Sequence, residues 1–251
     1  MKRLIIVFLL VFIAMPYAGA QLWKQKRYEA VAGLGSSQFY GDVGGYTIGE
    51  NIIGIRDISF KQTRFNVSGS FRYFIIDEVA ARLSLTYAML RATDERGSNE
   101  MRGLSCVTSV FEPAIIGEYY FIRNQQRNNY GFQIGRSVSR NTFKDFLNRL
   151  DVYALTGIGG LSYKVKPNEE LASRNLRTEG FSAAIPLGVG VKMTFNPNIL
   201  FGVELCGRFA LTDYVDGYTS QYSARNDVYH TFSFTFNYRI KTAKNGLPSF
   251  R

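Results

Sequence analysis

Residues 230–240, His-Thr-Phe-Ser-Phe-Thr-Phe-Asn-Tyr-Arg-Ile, constrain this chain more than any other stretch. Phe232, Phe234, Phe236, Tyr238 and Ile240 share one phase, and Thr231, Ser233, Thr235, Asn237 and Arg239 share the other. A strand sends successive side chains to opposite faces, so one face must meet apolar material and the other polar groups or water. Half-buried strands of soluble sandwiches also alternate, but they rarely present so even a row of bare aromatics. A lipid-facing strand of a closed barrel requires this pattern, because hydrocarbon offers no hydrogen-bond partner to an open sheet edge.

Seven further segments alternate, giving predicted strands at 28–36, 64–74, 79–90, 104–121, 151–164, 181–195, 199–213 and 229–240. Most reach or exceed the roughly 9–11 residues a tilted spanning strand needs. An even count is what a single-chain bacterial barrel uses. The predicted fold is therefore all-β, an eight-stranded antiparallel up-and-down transmembrane β-barrel occupying 21–251 as one domain. Connections 37–63, 91–103, 165–180 and 214–228 are long and rich in Gly, Asn, Asp, Ser and Arg, and are expected to be extracellular. Segments 75–78 and 196–198 are short and expected to be periplasmic turns, as are both termini. The connection 122–150 is long although it falls on the short-turn side.

The first residues agree with export. Lys2 and Arg3 precede an apolar run over 4–15, and Ala18-Gly19-Ala20 forms a small-x-small site before Gln21. The run falls short of the roughly 20 residues a spanning helix needs, so a cleaved signal over 1–20 is expected. Mean hydropathy of −0.09 is too polar for a helical membrane protein. Aromatics at 15%, with Phe and Tyr far outnumbering the single Trp, suit the girdles of a membrane barrel. A net charge of +10 could signal nucleic acid, but export points instead to anionic headgroups of outer-membrane lipid and lipopolysaccharide, or to an acidic protein partner. Cys106 and Cys206 lie in separate predicted strands, with no CxxC or Cys/His cluster. They are expected to be unpaired thiols, with a disulfide the lesser alternative.

The inward phase carries Glu29, Glu112, Glu118 and Glu204 against Arg64, Arg72, Arg82, Lys164, Lys192, Arg208 and Arg239. An eight-stranded barrel is only wide enough for its own side chains. These charges are therefore expected to form a paired plug, since an unpaired buried charge costs several kcal/mol. No catalytic, metal or cofactor site is expected. The one histidine, His230, falls on the outer phase among aromatics, while Thr231 and Ser233 point the other way, so no nucleophile–base pair forms. The glycine clusters at 157–160 and 188–190 lie inside strands, outside the strand–loop–helix setting of a phosphate cradle.

Four stretches carry a family likeness: 39–45 (Phe-Tyr-Gly-Asp-Val-Gly-Gly), 155–160 (Leu-Thr-Gly-Ile-Gly-Gly), 185–192 (Ile-Pro-Leu-Gly-Val-Gly-Val-Lys) and 212–216 (Thr-Asp-Tyr-Val-Asp). In that order they resemble the PorG-type outer-membrane barrels of type IX secretion, which are related in shape to OmpA and OmpX barrels. The resemblance implies a non-enzymatic component of that machine, contacting a periplasmic ring of PorK- and PorN-like proteins. It also implies a rim of motif residues, Gly41, Asp42, Gly44, Gly45, Thr212, Asp213, Tyr214 and Asp216, with Gly217 standing where a second acidic residue is expected.

A candidate partner surface lies in the connection 122–150. Arg123, Arg127, Arg136, Arg140, Lys144 and Arg149 face a single acid, Asp145, and Phe143, Phe146 and Leu147 are spaced for one side of a short helix. A general envelope or adhesion barrel is the alternative function, with a narrow pore or lipid-modifying enzyme behind it.

Overall fold

Long alternating stretches make long strands. The computed structural model contains β1 (Tyr28–Tyr40), β2 (Arg64–Phe74), β3 (Val79–Thr93), β4 (Ser105–Ile122), β5 (Leu150–Pro167), β6 (Glu179–Thr194), β7 (Ile199–Ala210) and β8 (Val228–Thr242). It describes residues 26–43, 60–95, 100–124, 150–174, 177–219, 226–243 and 245–249. The expected signal 1–20, Gly44, Gly45, Arg127, Arg136, Arg140, Phe143, Lys144, Phe146, Leu147 and Arg149 lie outside the described residues.

Each strand pairs antiparallel with the next, and β1 pairs with β8 from Tyr28↔Ile240 to Tyr40↔Val228. The sheet thus closes into an up-and-down barrel, which leaves no open edge among these eight strands. A two-residue strand, β9 (Pro248–Ser249), pairs with the tail of β8. No helix among the described residues is long and apolar enough to cross a membrane. Several strands run past their predicted ends away from the termini: β1 reaches Tyr40 rather than residue 36, β3 reaches Thr93 and β5 reaches Pro167. The ladder continues there with more mixed side chains, so alternation understates its length.

The outer wall is apolar. Leu34, Leu83, Ile115, Phe181 and Phe234 are each more than 60% exposed. The inner face is polar around the middle of the barrel, as the alternation of β8 requires. One strand departs from the expected phase. In β5 the inward residues are Tyr153, Leu155, Leu161 and Tyr163, all nearly fully buried, so Lys164 points outward and is exposed. Ile240 is on the outward phase but only 5% exposed, because the chain turns back beside it at β9. The Tyr28 hydroxyl donates to the Gly246 carbonyl at 2.8 Å, tying that turn to β1.

Candidate functional site

Charges face one another inside the barrel because neighbouring strands bring them to the same height. Glu29 on β1 sits in register with Arg72 on β2 and Arg239 on β8. Glu29 accepts from Arg72 at 2.7 Å, Lys192 at 2.7 Å and Arg239 at 3.2 Å. Arg72 also reaches Glu118 at 2.6 Å and donates to Asn237 Oδ1 at 3.0 Å. Arg82 bridges Glu118 at 3.1 Å and Glu204 at 2.7 Å. Tyr120 donates to Glu118 at 2.8 Å and Tyr153 to Glu204 at 3.0 Å.

Asp151, not anticipated from sequence, meets Arg239 at 3.6 Å. In this tier Glu29, Glu118, Glu204 and Asp151 oppose Arg72, Arg82, Lys192 and Arg239, so formal charge balances. Tyr153 fits over Gly190, where an added Cβ would come within 2.2 Å of the ring. The glycine there makes room for an aromatic, which is a packing role rather than a phosphate cradle.

Arg123 closes the mouth on the terminal side. It stacks over Phe74 at 4.2 Å and Tyr120 at 4.6 Å, approaches Asp77 at 3.5 Å and Asp151 at 4.0 Å, and its side chain is 6% exposed. It belongs to the lumen and not to a partner surface. An arginine just past a strand end can lay its planar cation on aromatic faces inside the barrel, where desolvation strengthens the contact.

A second tier lies further from the termini. Arg208 donates to Glu112 at 3.0 Å and to the Thr231 hydroxyl, while the Tyr229 hydroxyl donates to the other Glu112 oxygen. Of the anticipated lumen residues, two fall outside these networks. Lys164 is outside for the reason of phase given above. Arg64 is half-buried at the rim, donating to the carbonyls of Lys61 at 3.2 Å and Thr63 at 2.7 Å. It begins its strand, where the connection from β1 offers carbonyls closer than any lumen carboxylate.

The third tier is a cap at the end opposite the termini. The segment between β7 and β8 dips into the barrel mouth and fully buries Val215 among Phe39, Leu90, Leu104, Val110, Leu161 and Tyr229. The Thr108 hydroxyl donates to Val215 O at 2.7 Å. Asp216 accepts from the N–H groups of Val43 at 3.1 Å and Tyr218 at 2.8 Å, and Asp227 accepts from Val215 N–H at 2.8 Å. Asp213 accepts from the Thr219 hydroxyl at 2.6 Å. Arg102 holds Asp94 at 3.0 Å, donates to Asp42 O at 2.8 Å and stacks over Tyr218 at 5.5 Å. Arg177 stacks over Tyr214 at 5.3 Å.

Among the anticipated rim residues, Asp42, Asp213, Tyr214 and Asp216 thus belong to one cap. Gly41 also borders it: a Cβ there would meet Asp227 Oδ1 at 2.4 Å. Thr212 accepts at its carbonyl from Asp227 N–H at 3.1 Å. Gly217 has a φ of +77° and an added Cβ would lie 3.1 Å from Arg177 O, so an acidic side chain is disfavoured there on backbone grounds.

Burial pushes the Asp216 carboxyl up to about 7, overcoming the two N–H donors, with Asp42 and Asp213 adding to the rise. Burial also raises Asp227, helped by Asp216 and Asp213. Among the described residues, no three His, Cys, Asp or Glu side chains are placed to hold a metal ion. Cys106 and Cys206 are buried free thiols, the first near the cap and the second in the cluster around Tyr153. His230 is half-buried on the outward phase, in register with Gln38 and Gly207.

The family model for a domain of unknown function, DUF6089, matches residues 2–238. The chain belongs to the DUF6089 family. No curated protein matches it. Among solved structures this DUF6089 chain is similar to the N-terminal β-barrel domain of OprF from Pseudomonas aeruginosa, at 12% identity and a TM-score of 0.43, covering 85% of this chain and 98% of that one. It is similar to Neisserial surface protein A at 12% identity and a TM-score of 0.43, covering 84% and 96% respectively. It is also similar to Ail, the attachment invasion locus protein of Yersinia pestis, at 13% identity and a TM-score of 0.41, covering 86% and 99%. The small transmembrane barrel of this DUF6089 chain stands on its own closed sheet, apolar wall and charged interior.

Proposed function

We propose that this chain is an outer-membrane barrel with both termini in the periplasm, serving as a non-enzymatic structural component of type IX protein secretion. The observation that carries a structural rather than a transport role is the closure of the lumen at three heights: the Glu29–Arg72–Glu118–Arg82–Glu204 chain, the Glu112–Arg208–Tyr229 cluster and the Val215 cap. A barrel filled by paired side chains is a rigid membrane post, not a conduit. The four ordered stretches at 39–45, 155–160, 185–192 and 212–216 support the assignment to secretion through their resemblance to PorG-type barrels.

In this orientation the connection 122–150 faces a PorK/PorN-like ring. Its basic residues would speed encounter with an acidic surface, and Phe143, Phe146 and Leu147 would anchor it. The test is co-purification from native membranes with mass spectrometry of what accompanies the barrel, alongside secretion in a deletion strain. Ring proteins in the eluate and a loss of secreted cargo are expected. Intact secretion with a weakened envelope would replace this reading by the general envelope barrel. A soluble product without heat-dependent gel mobility would sink both.

A further inference from the structure

On the outer wall an apolar groove of about 890 Å³ runs across β2 to β6, bordered by Phe71, Leu85, Ile115, Ile158 and Phe181. Its depth comes from missing side chains. Gly69 faces Leu85 across the β2–β3 ladder, and a Cβ added at Gly69 would meet nothing within 4 Å. On β5, the Phe181 ring leans over Gly160, 3.0 Å from where its Cβ would stand. Above the groove, toward the end opposite the termini, the same wall turns basic. Lys164 on β5 is in register with Ser109 on β4, which is in register with Met89 on β3. One row higher, Lys166, Val107 and Arg91 lie side by side on β5, β4 and β3.

We propose that this wall binds one phosphorylated, acylated membrane lipid, its acyl chain in the groove and its phosphate against Arg91, Lys164 and Lys166. The geometry matches a leaflet. Four residues separate Gly160 from Lys164 and six separate Leu85 from Arg91, or roughly 13 to 20 Å along a strand at about 3.3 Å per residue. A strand tilted by about 45° converts this to roughly 9 to 14 Å of depth, within the half-thickness of a hydrocarbon core about 30 Å thick. A headgroup level with the basic row therefore drops its chain into the groove.

Arg91 and Lys166 are separated by a single strand, so their backbones are about 10 Å apart and both can reach one phosphate. Lys164 and Lys166 are exposed, and among the described residues none of the three cations has a carboxylate at salt-bridge distance. Glu179, in register with Lys164 on β6, flanks the site on its far side and confines the anion to the β3–β5 face. Under the orientation proposed above the ligand belongs to the outer leaflet, so a phosphorylated glycolipid is the class it fits. The inference rests on the membrane-spanning barrel and its proposed orientation and not on the secretion role.

The test uses the full chain folded into detergent, with native mass spectrometry against a phosphorylated lipid A preparation, its dephosphorylated form and a deacylated glucosamine phosphate. One retained lipid A per barrel is expected, with much weaker retention of the other two probes. Replacing Arg91, Lys164 and Lys166 together by Ala should weaken retention roughly a hundredfold, the order expected for losing three headgroup charges. Gly69→Leu, which fills the groove, should weaken lipid A retention while leaving the deacylated probe unchanged. Heat-dependent gel mobility reports folding of each variant independently of lipid. Unchanged retention in both folded variants, equal retention of the dephosphorylated lipid, or a lipid-free dimer occupying this face would overturn the proposal.

Discussion

Replacing Glu29 by Gln tests whether the interior is held as a set of paired charges. The neutral amide keeps the size of the side chain but withdraws one negative charge from three cations, Arg72, Lys192 and Arg239. Breaking a buried pair by removing one partner costs about 3–5 kcal/mol. The loss is not three times that, because Arg72 keeps Glu118 at 2.6 Å and Arg239 keeps Asp151 at 3.6 Å. Lys192 bears most of it: among the described residues, Glu29 is its one carboxylate at salt-bridge distance.

With a urea dependence of about 1–3 kcal/mol per molar, a loss of about 3–5 kcal/mol lowers the unfolding midpoint by roughly 1 to 5 M. The assay is urea unfolding in detergent or lipid, read by gel mobility and tryptophan-independent circular dichroism. The decisive arm is the pair Glu29→Gln with Lys192→Met. It removes the stranded cation while Phe74 and Tyr120, 5.1 and 4.9 Å from the Lys192 ammonium, still offer apolar contact. The double variant should recover at least half of the single variant's loss, since most of the cost of breaking a buried pair comes from the charge left uncompensated, which Lys192→Met removes. A single variant with an unshifted midpoint, or a double variant no more stable than the single, would refute the reasoning.

Other outcomes follow from the same geometry. In planar bilayers the unaltered protein should show no steady, ion-selective conductance; a reproducible open channel would overturn the sealed interior. The cap should loosen as pH rises. The Asp216 carboxyl titrates near 7 when docked against its ordinary value of 3.8, so docking is strongest below about pH 4 and weakens through pH 7. Hydrogen exchange at the Val215 and Tyr218 amides, corrected for intrinsic rate, should therefore show protection falling between about pH 4 and 7 and levelling off above, and constant protection would contradict it. Reversing Arg136, Arg140 and Lys144 to Glu should leave barrel assembly intact and abolish co-purification with the ring; unchanged association and secretion would reject that surface.

The corrections share a physical origin. The inward phase of a strand was legible wherever its two faces differed in polarity, as in β8 with Phe234 against Ser233, or β4 with Ile115 against Glu112. In β5 the criterion reversed. Tyr153, Leu155, Leu161 and Tyr163 are apolar yet face inward, because the lumen is aromatic beside the ionic tier and apolar beneath the cap. Lys164 took the outer face as a result. Asp151 shares the inward phase of Tyr153 and Leu155 and was missed with them. Arg123, just past the end of β4, and Arg64, at the start of β2, have partners set by whichever strand or connection the closed sheet brings near.

Strand number, antiparallel order and the sidedness of most strands were thus determined by the sequence alone, because period-two alternation is a local property that every spanning strand must satisfy. Which charges pair was decided only in three dimensions. Glu29 meets Lys192 and Asp151 meets Arg239 because the sheet closes and staggers. The stretches 39–45 and 212–216 marked residues of the cap, but no alternation announced that they fold inward: Tyr214, Val215 and Asp216 form the cap because the open barrel mouth offers an apolar lining to bury Val215, and N–H groups of Val43 and Tyr218 meet the Asp216 carboxyl. A strand's faces depend on neighbours two residues away, whereas the plug and cap depend on neighbours that only closure of the barrel brings together.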